Sequence, residues 1–504
     1  ERLNVWYVAK DEPATEDMHF YAGKFSVEPL VLSSSTEQLA LASTNGLAIP
    51  ALNTLLPESF AVGHADGEPV KVIDTAEAEF WLQGSATFPE QPKGFTQLQL
   101  NTSEQTNSAE ASVLSALWAD LYGQQETTLL TEASIAGMSA SIAPSFGIQM
   151  SFSGFTDKQP ELIKRSLEAL RIEPSEKEFG QAVDRYTRGL ENSRFGFPVR
   201  QLFPALRRLT QTGAFDQADL LEAANAATLD KLSAHIKQQL GSAYVRGYRF
   251  GNYGEEDVAA LAELVAQVLP NRAEGTYTRS DIYAPQPGST LIYQDSLPVE
   301  DLGMLYLFAA PQANIENVAK GQLLAAHLSN RAFNQLRTEE QLGYAAGGFA
   351  TQLGDHPMVG FYIQTPVKAP VAMLERFDRY RVEFASDLEA LDSAEFDRIK
   401  AGVLTDLTQP PKNLAEEAGP FLMDWNRERY NFDTRTRLIA AVEQVTLKAV
   451  QDYYAETVMV EAPSRVLVQL KGSAFADEPF ATIEGATVVE NVSLFHEAMP
   501  LQAR

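Results

Sequence analysis

The chain has 504 residues, with 40 Lys or Arg against 67 Asp or Glu, so its formal net charge at pH 7 is −27. A surface this negative repels polyanions and argues against nucleic acid or an anionic membrane as a partner. The 45% apolar content suits packed cores and excludes a mainly disordered chain, and the lack of cysteine excludes disulfides, thiol nucleophiles and thiolate zinc sites.

The sequence contains no predicted membrane span and no recognisable targeting peptide. Its longest apolar stretch, residues 302–311, is half of the roughly 20 residues that a membrane helix needs. The start Glu1-Arg2-Leu3-Asn4 has neither an initiator Met nor a basic segment followed by an apolar core. We therefore expect a fragment or a processed piece of a longer protein.

The elements of the first half follow from the spacing of apolar residues. Val5-Trp6-Tyr7-Val8 predicts a strand. Residues 109–122 predict a helix, residues 148–152 alternate apolar and polar side chains like a half-buried strand, and residues 161–170 predict a second helix. The apolar positions of the first helix recur every four residues: Val113, Leu117 and Leu121.

The second half repeats this order, with a helix predicted at 316–333, a strand at 358–365 and a helix at 370–384. Several amino acids at corresponding positions of the two halves also match. Thr131-Glu132-Ala133-Ser134-Ile135-Ala136-Gly137 aligns with Thr338-Glu339-Glu340-Gln341-Leu342-Gly343-Tyr344 at an offset of 207 residues. Further along, Glu178-Phe179 aligns with Glu395-Phe396 at an offset of 217, and a slow drift of this kind indicates an old tandem duplication.

The duplication divides the chain into predicted domains. Pro270, Pro285 and Pro287 give residues 270–288 the composition of a linker. We predict a strand and linker at residues 1–30, a first repeat at 31–269 and a second repeat at 270–504. The predicted fold class is α+β, with two homologous domains that each pack helices on one face of a mainly antiparallel sheet.

No self-contained catalytic centre is evident. The sequence has no G-x-G-x-x-G, no phosphate-binding G-x-x-x-x-G-K and no G-x-S-x-G motif. Two of its six histidines, His327 and His356, form the closest pair at 29 residues apart, so no two can share a helix face around zinc. A site of one histidine with distant carboxylates stays open, but we predict no metal ligands in this chain.

The segment with the clearest chemistry runs from Phe333 to Tyr344. Arg337 presents a permanently charged fork of donors and Tyr344 a phenol, and two such donors at one point could stabilise a developing oxyanion. The first repeat has Leu130 and Gly137 at the corresponding positions, so the shared scaffold does not require the pair. The alternative interpretation gives the two residues no chemical role: Arg337 would be an exposed arginine at a helix end, and Tyr344 a half-buried tyrosine of a strand. The following Ala345-Ala346-Gly347-Gly348 would allow close approach of an added peptide strand.

This segment, Phe333-Asn334-Gln335-Leu336-Arg337-Thr338-Glu339-Glu340-Gln341-Leu342-Gly343-Tyr344, closely resembles the signature of the C-terminal half of the insulinase, or pitrilysin, family of zinc endopeptidases (peptidase family M16). The resemblance extends over essentially the whole chain. It includes Asn4-Val5-Trp6-Tyr7-Val8, Arg429-Tyr430-Asn431-Phe432-Asp433 and Glu490-Asn491-Val492-Ser493.

The resemblance implies the third and fourth of four homologous α+β domains, arranged in two bowl-like halves that close around a peptide. It implies a zinc ion held by H-x-x-E-H in the N-terminal half, which this sequence lacks. Arg337 and Tyr344 would stabilise the tetrahedral intermediate across the chamber, and Phe333 would line the adjacent substrate pocket. The implied partners are the N-terminal half and peptide or small-protein substrates. Bacterial members imply a periplasmic location, with the cytoplasm as the alternative.

Two further readings stay open on sequence alone. The chain could be a separate, non-catalytic binding or assembly subunit of the same fold, although a pure scaffold has no use for both Arg337 and Tyr344. It could also be a self-sufficient hydrolase of another kind, for which no motif argues.

Overall fold

A computed structural model shows helices packed on two six-stranded sheets, which confirms the predicted α+β class. The chain divides into two compact units, Glu1–Thr54 and Leu55–Arg504. In the part of the chain that is described, no helix is long and apolar enough to cross a bilayer. The described residues are 6–9, 13–19, 23–29, 51–63, 66–102, 108–270 and 272–498.

The first unit contains a short antiparallel strand pair, β1 (Glu16–Asp17) with β2 (Lys24–Phe25). Residues 6–8 form no strand, so the strand predicted for them is wrong, and Val5 lies outside the described residues. Their side chains are exposed, and none of the described strands pairs with them, so they lack the half-buried pleated surface on which a strand depends.

The first sheet and its helices span the first half of the second unit. The strands are β3 (Val70–Asp74), β4 (Ala78–Gln83), β5 (Lys93–Asn101), β6 (Met138–Ser145), β7 (Gly147–Phe155) and β8 (Tyr244–Gly251). The helices are α1 (Ala109–Gln125), α2 (Thr127–Ile135), α3 (Gln159–Glu168), α4 (Glu176–Ser193), α5 (Pro198–Thr210), α6 (Gln217–Asn225), α7 (Leu229–Gly241) and α8 (Glu255–Val268). Helices α1 and α3 and strand β7 are the elements predicted here.

The second sheet and its helices follow in matching order. The strands are β9 (Thr290–Ser296), β10 (Leu302–Ala309), β11 (Ala345–Leu353), β12 (His356–Thr365), β13 (Arg465–Lys471) and β14 (Thr487–Val489). The helices are α9 (Ile315–Ala332), a π-helix (Phe333–Glu339), α10 (Pro370–Ala390), α11 (Ser393–Thr408), α12 (Leu414–Asn426), α13 (Thr434–Gln444), α14 (Leu447–Thr457), a 3-10 turn (Ser473–Phe475) and α15 (Val492–Ala498).

The two sheets have the same strand order. The first runs β3-β4-β8-β5-β7-β6 and the second β14-β9-β13-β10-β12-β11, with antiparallel pairs in the majority in both. Only the outermost strand differs in direction, since β3 is antiparallel and β14 parallel to its neighbour. The common order agrees with a tandem duplication, whereas the domain boundaries at residues 30 and 270 stay predictions.

Helix starts of the two repeats also correspond. Ser175 caps α4 in a full capping box with Glu178, and Asp392 caps α11 by accepting a bond from the Glu395 backbone N–H. A side-chain oxygen at this position satisfies one of the free N–H groups of the first turn. Both helices therefore begin with a side-chain cap at corresponding positions.

Each sheet packs the helices of its own repeat on one face. Val113, Leu117 and Leu121 of α1 are buried against Phe152 and its neighbours in the first core. In the second core Phe361 and other sheet residues pack on α9 and α10.

The opposite face of each sheet is covered by a helix from the other repeat. Helix α5 packs Leu202, Leu206 and Leu209 against Leu305 and Leu307 of the second sheet. The corresponding helix α12 packs on the first sheet through two buried residues, Ala418 and Trp425. This reciprocal exchange ties the two repeats into one structure.

Polar side chains fix α12 to the first sheet. The buried guanidinium of Arg246 donates to Glu79 at 2.6 Å, Gln99 at 3.1 Å and the Trp425 carbonyl at 3.1 Å. Its charge also lies 4.2 Å from the centre of the Trp425 ring. The buried carboxylate is thus paired, and the cation is stabilised by aromatic contact.

Candidate functional site

The segment from Phe333 to Tyr344 begins as a π-helix. Helix α9 ends at Ala332, and residues 333–339 continue with wider turns, so that the Glu340 N–H donates to the Gln335 carbonyl at 3.0 Å. Leu336 is buried, whereas Phe333, Asn334, Thr338 and Glu339 are exposed. Single π-turns inside helices occur frequently at functional sites because they redirect side chains.

A tight exit from the π-helix positions Tyr344. Gln341 has a φ of 53°, a left-handed conformation that is uncommon for a residue other than glycine. The buried Leu342 donates its N–H to the Leu336 carbonyl at 3.0 Å and accepts from the Thr365 hydroxyl at 2.5 Å. A Cβ on Gly343 would overlap the Gln364 carbonyl, so this position requires glycine.

Glu340 and Arg376 brace the base of this turn. Arg376 of α10 is buried and donates to both carboxylate oxygens of Glu340, at 2.8 Å and 2.5 Å. These bonds lower the pKa of Glu340 below its usual range and raise the pKa of Arg376. Neither residue was among the predicted site residues. No local pattern identified Glu340, because its partner Arg376 lies 36 residues further along the chain.

The first repeat has a similar brace without the candidate site. Arg165 of α3 pairs with Glu132 of α2 at 3.3 Å. Gly137 follows there with a φ of 72°, where the second repeat has Tyr344. Both repeats thus pair a glutamate of this segment with an arginine of a following helix, although Glu132 aligns with Glu339 and not with Glu340. Arg337 and Tyr344 have no counterpart in the first repeat.

The three predicted site residues lie together. The guanidinium of Arg337 lies 4.6 Å from the centre of the Phe333 ring and 5.1 Å from the centre of the Tyr344 ring. Tyr344 is 84% exposed and Phe333 39% exposed. Across the described residues Arg337 has these two rings as neighbours and no ion-pair partner, so its charge is available to a ligand. The catalytic role of Arg337 and Tyr344 and the substrate-binding role of Phe333 stay predictions.

Strand β11 starts directly after Tyr344 and forms the edge of the second sheet. Among the described strands it pairs with β12 alone. The glycines of this strand have an internal packing reason, because a Cβ at Gly348 would overlap Leu328 and one at Gly347 would lie 3.0 Å from the Tyr362 ring. The free edge can still accept an extended peptide by backbone hydrogen bonds.

Three of the described histidines have partners outside the segment from Phe333 to Tyr344. His327 is buried and bonds Asp387 at 2.9 Å, and His356 bonds the Ala310 carbonyl at 2.7 Å. His235 is buried beside the Ser115 hydroxyl at 2.9 Å, and burial lowers its pKa to about 4. His64 lies outside the described residues.

Two family models match the chain. Residues 1–223 match the middle or third domain of peptidase M16, and residues 323–422 match the C-terminal lobe domain 4 of a PQQ synthase PqqF-like protein.

The whole of this chain is similar to a bacterial protein, and most of it to a human one. Protease 3 of Escherichia coli strain K12 is 25% identical over 509 residues, which cover 100% of this chain and 53% of that protein. Insulin-degrading enzyme of Homo sapiens is 25% identical over 446 residues, which cover 84% of this chain and 43% of that protein. The chain thus spans about half the length of the curated relatives it matches.

The fold is also found in solved structures. The crystal structure of pitrilysin aligns with a TM-score of 0.87 and 25% identity over 99% of this chain and 54% of that one. A peptidase M16 inactive domain from Pseudomonas fluorescens has the same fold, with a TM-score of 0.58 and 16% identity over 82% of this chain and 100% of that one.

Proposed function

Since the chain belongs to the M16 peptidase family and corresponds to the C-terminal half of its pitrilysin-like members, we propose that it forms the half of a zinc metalloendopeptidase that does not bind zinc. In this proposal it encloses peptides or small proteins together with the N-terminal half of the same polypeptide. Its chemical contribution is to bind the substrate and stabilise the tetrahedral intermediate.

The observation that carries the proposal is the position of Arg337 between Phe333 and Tyr344. The guanidinium has no carboxylate partner among the described residues, and the exposed phenol beside it supplies a second donor. Negative charge develops on the carbonyl oxygen when water attacks a peptide bond, and donors fixed in advance at that oxygen stabilise the transition state more than the ground state. The ring of Phe333 offers an apolar wall for the neighbouring substrate side chain.

Zinc is assigned to the N-terminal half in this proposal. A bound zinc ion would activate the attacking water and polarise the carbonyl. Within the described ranges of this chain, no three His, Asp or Glu side chains are grouped so that they could hold a metal ion. These residues do not fit a zinc site, and we expect the chain alone not to hydrolyse peptides.

The decisive experiment is Arg337→Ala in the full-length enzyme. Loss of one oxyanion donor lowers turnover by about 10²- to 10³-fold. We expect kcat to fall by this amount and KM to change little, because the interaction forms mainly in the transition state. Tyr344→Phe, which removes only the hydroxyl, should lower kcat in the same way.

Arg331→Ala is the matched control. Arg331 lies on α9, is 55% exposed in its side chain and pairs with Asp387 at 3.2 Å. Its loss should leave kcat unchanged. An unaltered kcat in Arg337→Ala, measured on folded enzyme, would refute the assigned role.

A separate, non-catalytic subunit is the second candidate function. It is favoured by the similarity in fold to a protein described as an M16 inactive domain, whose whole chain is covered by the match. The mass of the natural protein decides between the two proposals, because a separate subunit has about 55 kDa and a whole enzyme about twice that.

The proposed location is the periplasm, with the cytoplasm as the alternative. The proposal rests on family resemblance to bacterial pitrilysins. Fractionation of the native cells with periplasmic and cytoplasmic marker enzymes tests it directly.

A further inference from the structure

A cavity of about 860 Å³ lies between the two repeats, apart from the Arg337 segment. The turns that join β6 to β7 and β11 to β12 both reach it, through Phe146 and Gly354. The C-terminal ends of α5 and α12 and the segment between the repeats complete its wall. Its volume is in the range of small-ligand sites.

Three arginines line this cavity on a chain whose net charge is −27. Arg207 is exposed and has no ion pair or side-chain hydrogen bond among the described residues. The Nε of Arg279 lies 3.6 Å from a carboxylate oxygen of Glu428, too far for a hydrogen bond, and it has no hydrogen-bond acceptor among the described residues. Arg427 donates to Gln352 at 3.1 Å. Guanidinium groups with unused donors are suited to a carboxylate.

The cavity is lined by fewer acidic residues than arginines. Asp355 and Asp281 line the cavity with the three arginines, and Asp355 already pairs with Arg429 at 2.5 Å and with Arg427 at 3.6 Å. Burial is the main cause that lowers the pKa of Arg427; the charges of Arg429 and Arg279 lower it further, and the charge of Asp355 opposes them. An anionic ligand would relieve this repulsion between cations.

The segment that supplies Arg427 is also strained. Glu428 has a φ of 57° and Phe432 a φ of 51°, both in the left-handed region that non-glycine residues rarely adopt. Strained backbone of this kind is concentrated at ligand and switch sites. The segment contains the Arg429-Tyr430-Asn431-Phe432-Asp433 motif, to which the proposed function assigns no role.

Strand β11 connects this cavity with the candidate site. It begins after Tyr344 and runs for nine residues to Leu353, which lines the cavity together with Gly354. At about 3.3 Å per residue the strand spans about 30 Å. A peptide paired with its free edge would reach the arginines at one end when its reacting bond lies near Tyr344.

Resting on the proposed function, we propose that the cavity binds the C-terminal carboxylate of a peptide that extends along the free edge of β11, with Arg207, Arg279 and Arg427 as its donors. The apolar side chains of Phe146, Ile282 and Leu353 in the wall would receive the last side chain of that peptide. The site therefore selects peptides by the distance between the cleaved bond and the chain end.

The test is peptide binding to this chain, without catalysis. A fluorescein-labelled peptide of about twelve residues, ending in leucine, is prepared as the free acid and as the C-terminal amide, and each is titrated by fluorescence anisotropy at low ionic strength. The free acid should bind about tenfold tighter or more, since a hydrogen-bonded charge is lost in the amide. Arg207→Gln and Arg279→Gln should abolish this difference.

The controls separate this proposal from its alternatives. Arg188→Gln, which removes an exposed arginine of α4 outside the cavity wall, should keep the preference for the acid. Equal binding of acid and amide, or a preference that survives both cavity variants, would overturn the proposal. So would tight binding of an amidated peptide ending in aspartate, because the cavity would then recognise acidic side chains instead of the chain end.

Two further features keep the result clear. Arg207 is exposed, so its variant folds even if Arg279→Gln does not, and circular dichroism checks both. The assay does not depend on turnover. If the unmodified chain shows no preference for the acid, while Arg337→Ala strongly lowers kcat of the full-length enzyme, the cavity proposal alone is rejected.

Discussion

Arg337 and Leu130 occupy corresponding positions in the two repeats, as do Tyr344 and Gly137. The sequence comparison identified which residues the scaffold does not need. It could not show that the guanidinium lies between two rings, because that arrangement depends on the path of the chain between Phe333 and Tyr344. Nor could it pair Glu340 with Arg376, which lies 36 residues further along.

At the scale of single residues, Glu340→Gln should lower stability. The variant leaves the buried Arg376 with the more exposed Glu383 as its remaining carboxylate, at a cost of about 1 to 3 kcal/mol. Since folding lowers the pKa of Glu340, its contribution is present above the ordinary value of 4.5 and is lost as the pH falls through the lower folded value. The difference in the free energy of unfolding between the unmodified protein and Glu340→Gln should therefore be largest at pH 7 and should decrease below about pH 4.5.

Urea unfolding of both proteins at a series of pH values measures this gap. Arg398, whose exposed side chain pairs with Glu395 on the same helix, provides the control variant Arg398→Gln with little effect at any pH. A pH-independent gap for Glu340→Gln would show that the carboxylate is not stabilised as its contacts imply.

The π-helix is the element that the sequence predicted incompletely. An α-helix was predicted through Phe333, and α9 ends one residue earlier. No pattern of amino acids distinguishes a π-helix from an α-helix in the sequence. It is held by tertiary contacts, namely the burial of Leu336 and the bonds from Gln335 and Arg376 to Glu340.

Gly343→Ala should disturb this element. Its Cβ would overlap the backbone of Gln364, which cannot move without shifting β12, so we expect a loss of about 1 to 3 kcal/mol. The same shift should displace Tyr344 and lower kcat of the full-length enzyme. Gly402→Ala in the exposed part of α11 is the matched control, with open space at its Cβ, and should stabilise by about 0.5 to 1 kcal/mol. If Gly343→Ala had the same free energy of unfolding as the unmodified protein, the close approach of Gly343 to the Gln364 carbonyl would be contradicted.

The exchange of α5 and α12 between the repeats was not predicted. The sequence placed helices on one face of each sheet and left the other face undescribed. Apolar periodicity shows that a helix has a buried face, but it does not say which sheet that face covers. The partner was decided by contacts such as Arg246 with Trp425, which are 179 residues apart.

At the scale of the whole molecule, the exchange should make the two sheets unfold together. Trp425→Ala removes a fully buried ring from the face of the first sheet and should cost about 3 to 5 kcal/mol. We expect its calorimetric unfolding to broaden or divide into two transitions, because the repeats lose a principal shared contact. Trp118→Ala, a truncation of similar size within the core of the first repeat, is the comparison. Equal cooperativity in both variants would argue against coupling through α12.

The sequence by itself indicated the fold class, the duplication and the family. These follow from the spacing of apolar residues, from aligned segments of the two halves and from one long motif. It also singled out Phe333, Arg337 and Tyr344 by residue type. The tertiary structure decided how these side chains meet, which helix covers which sheet and where the arginines of the cavity gather. Those features depend on contacts between residues far apart in the chain, for which local pattern holds no information.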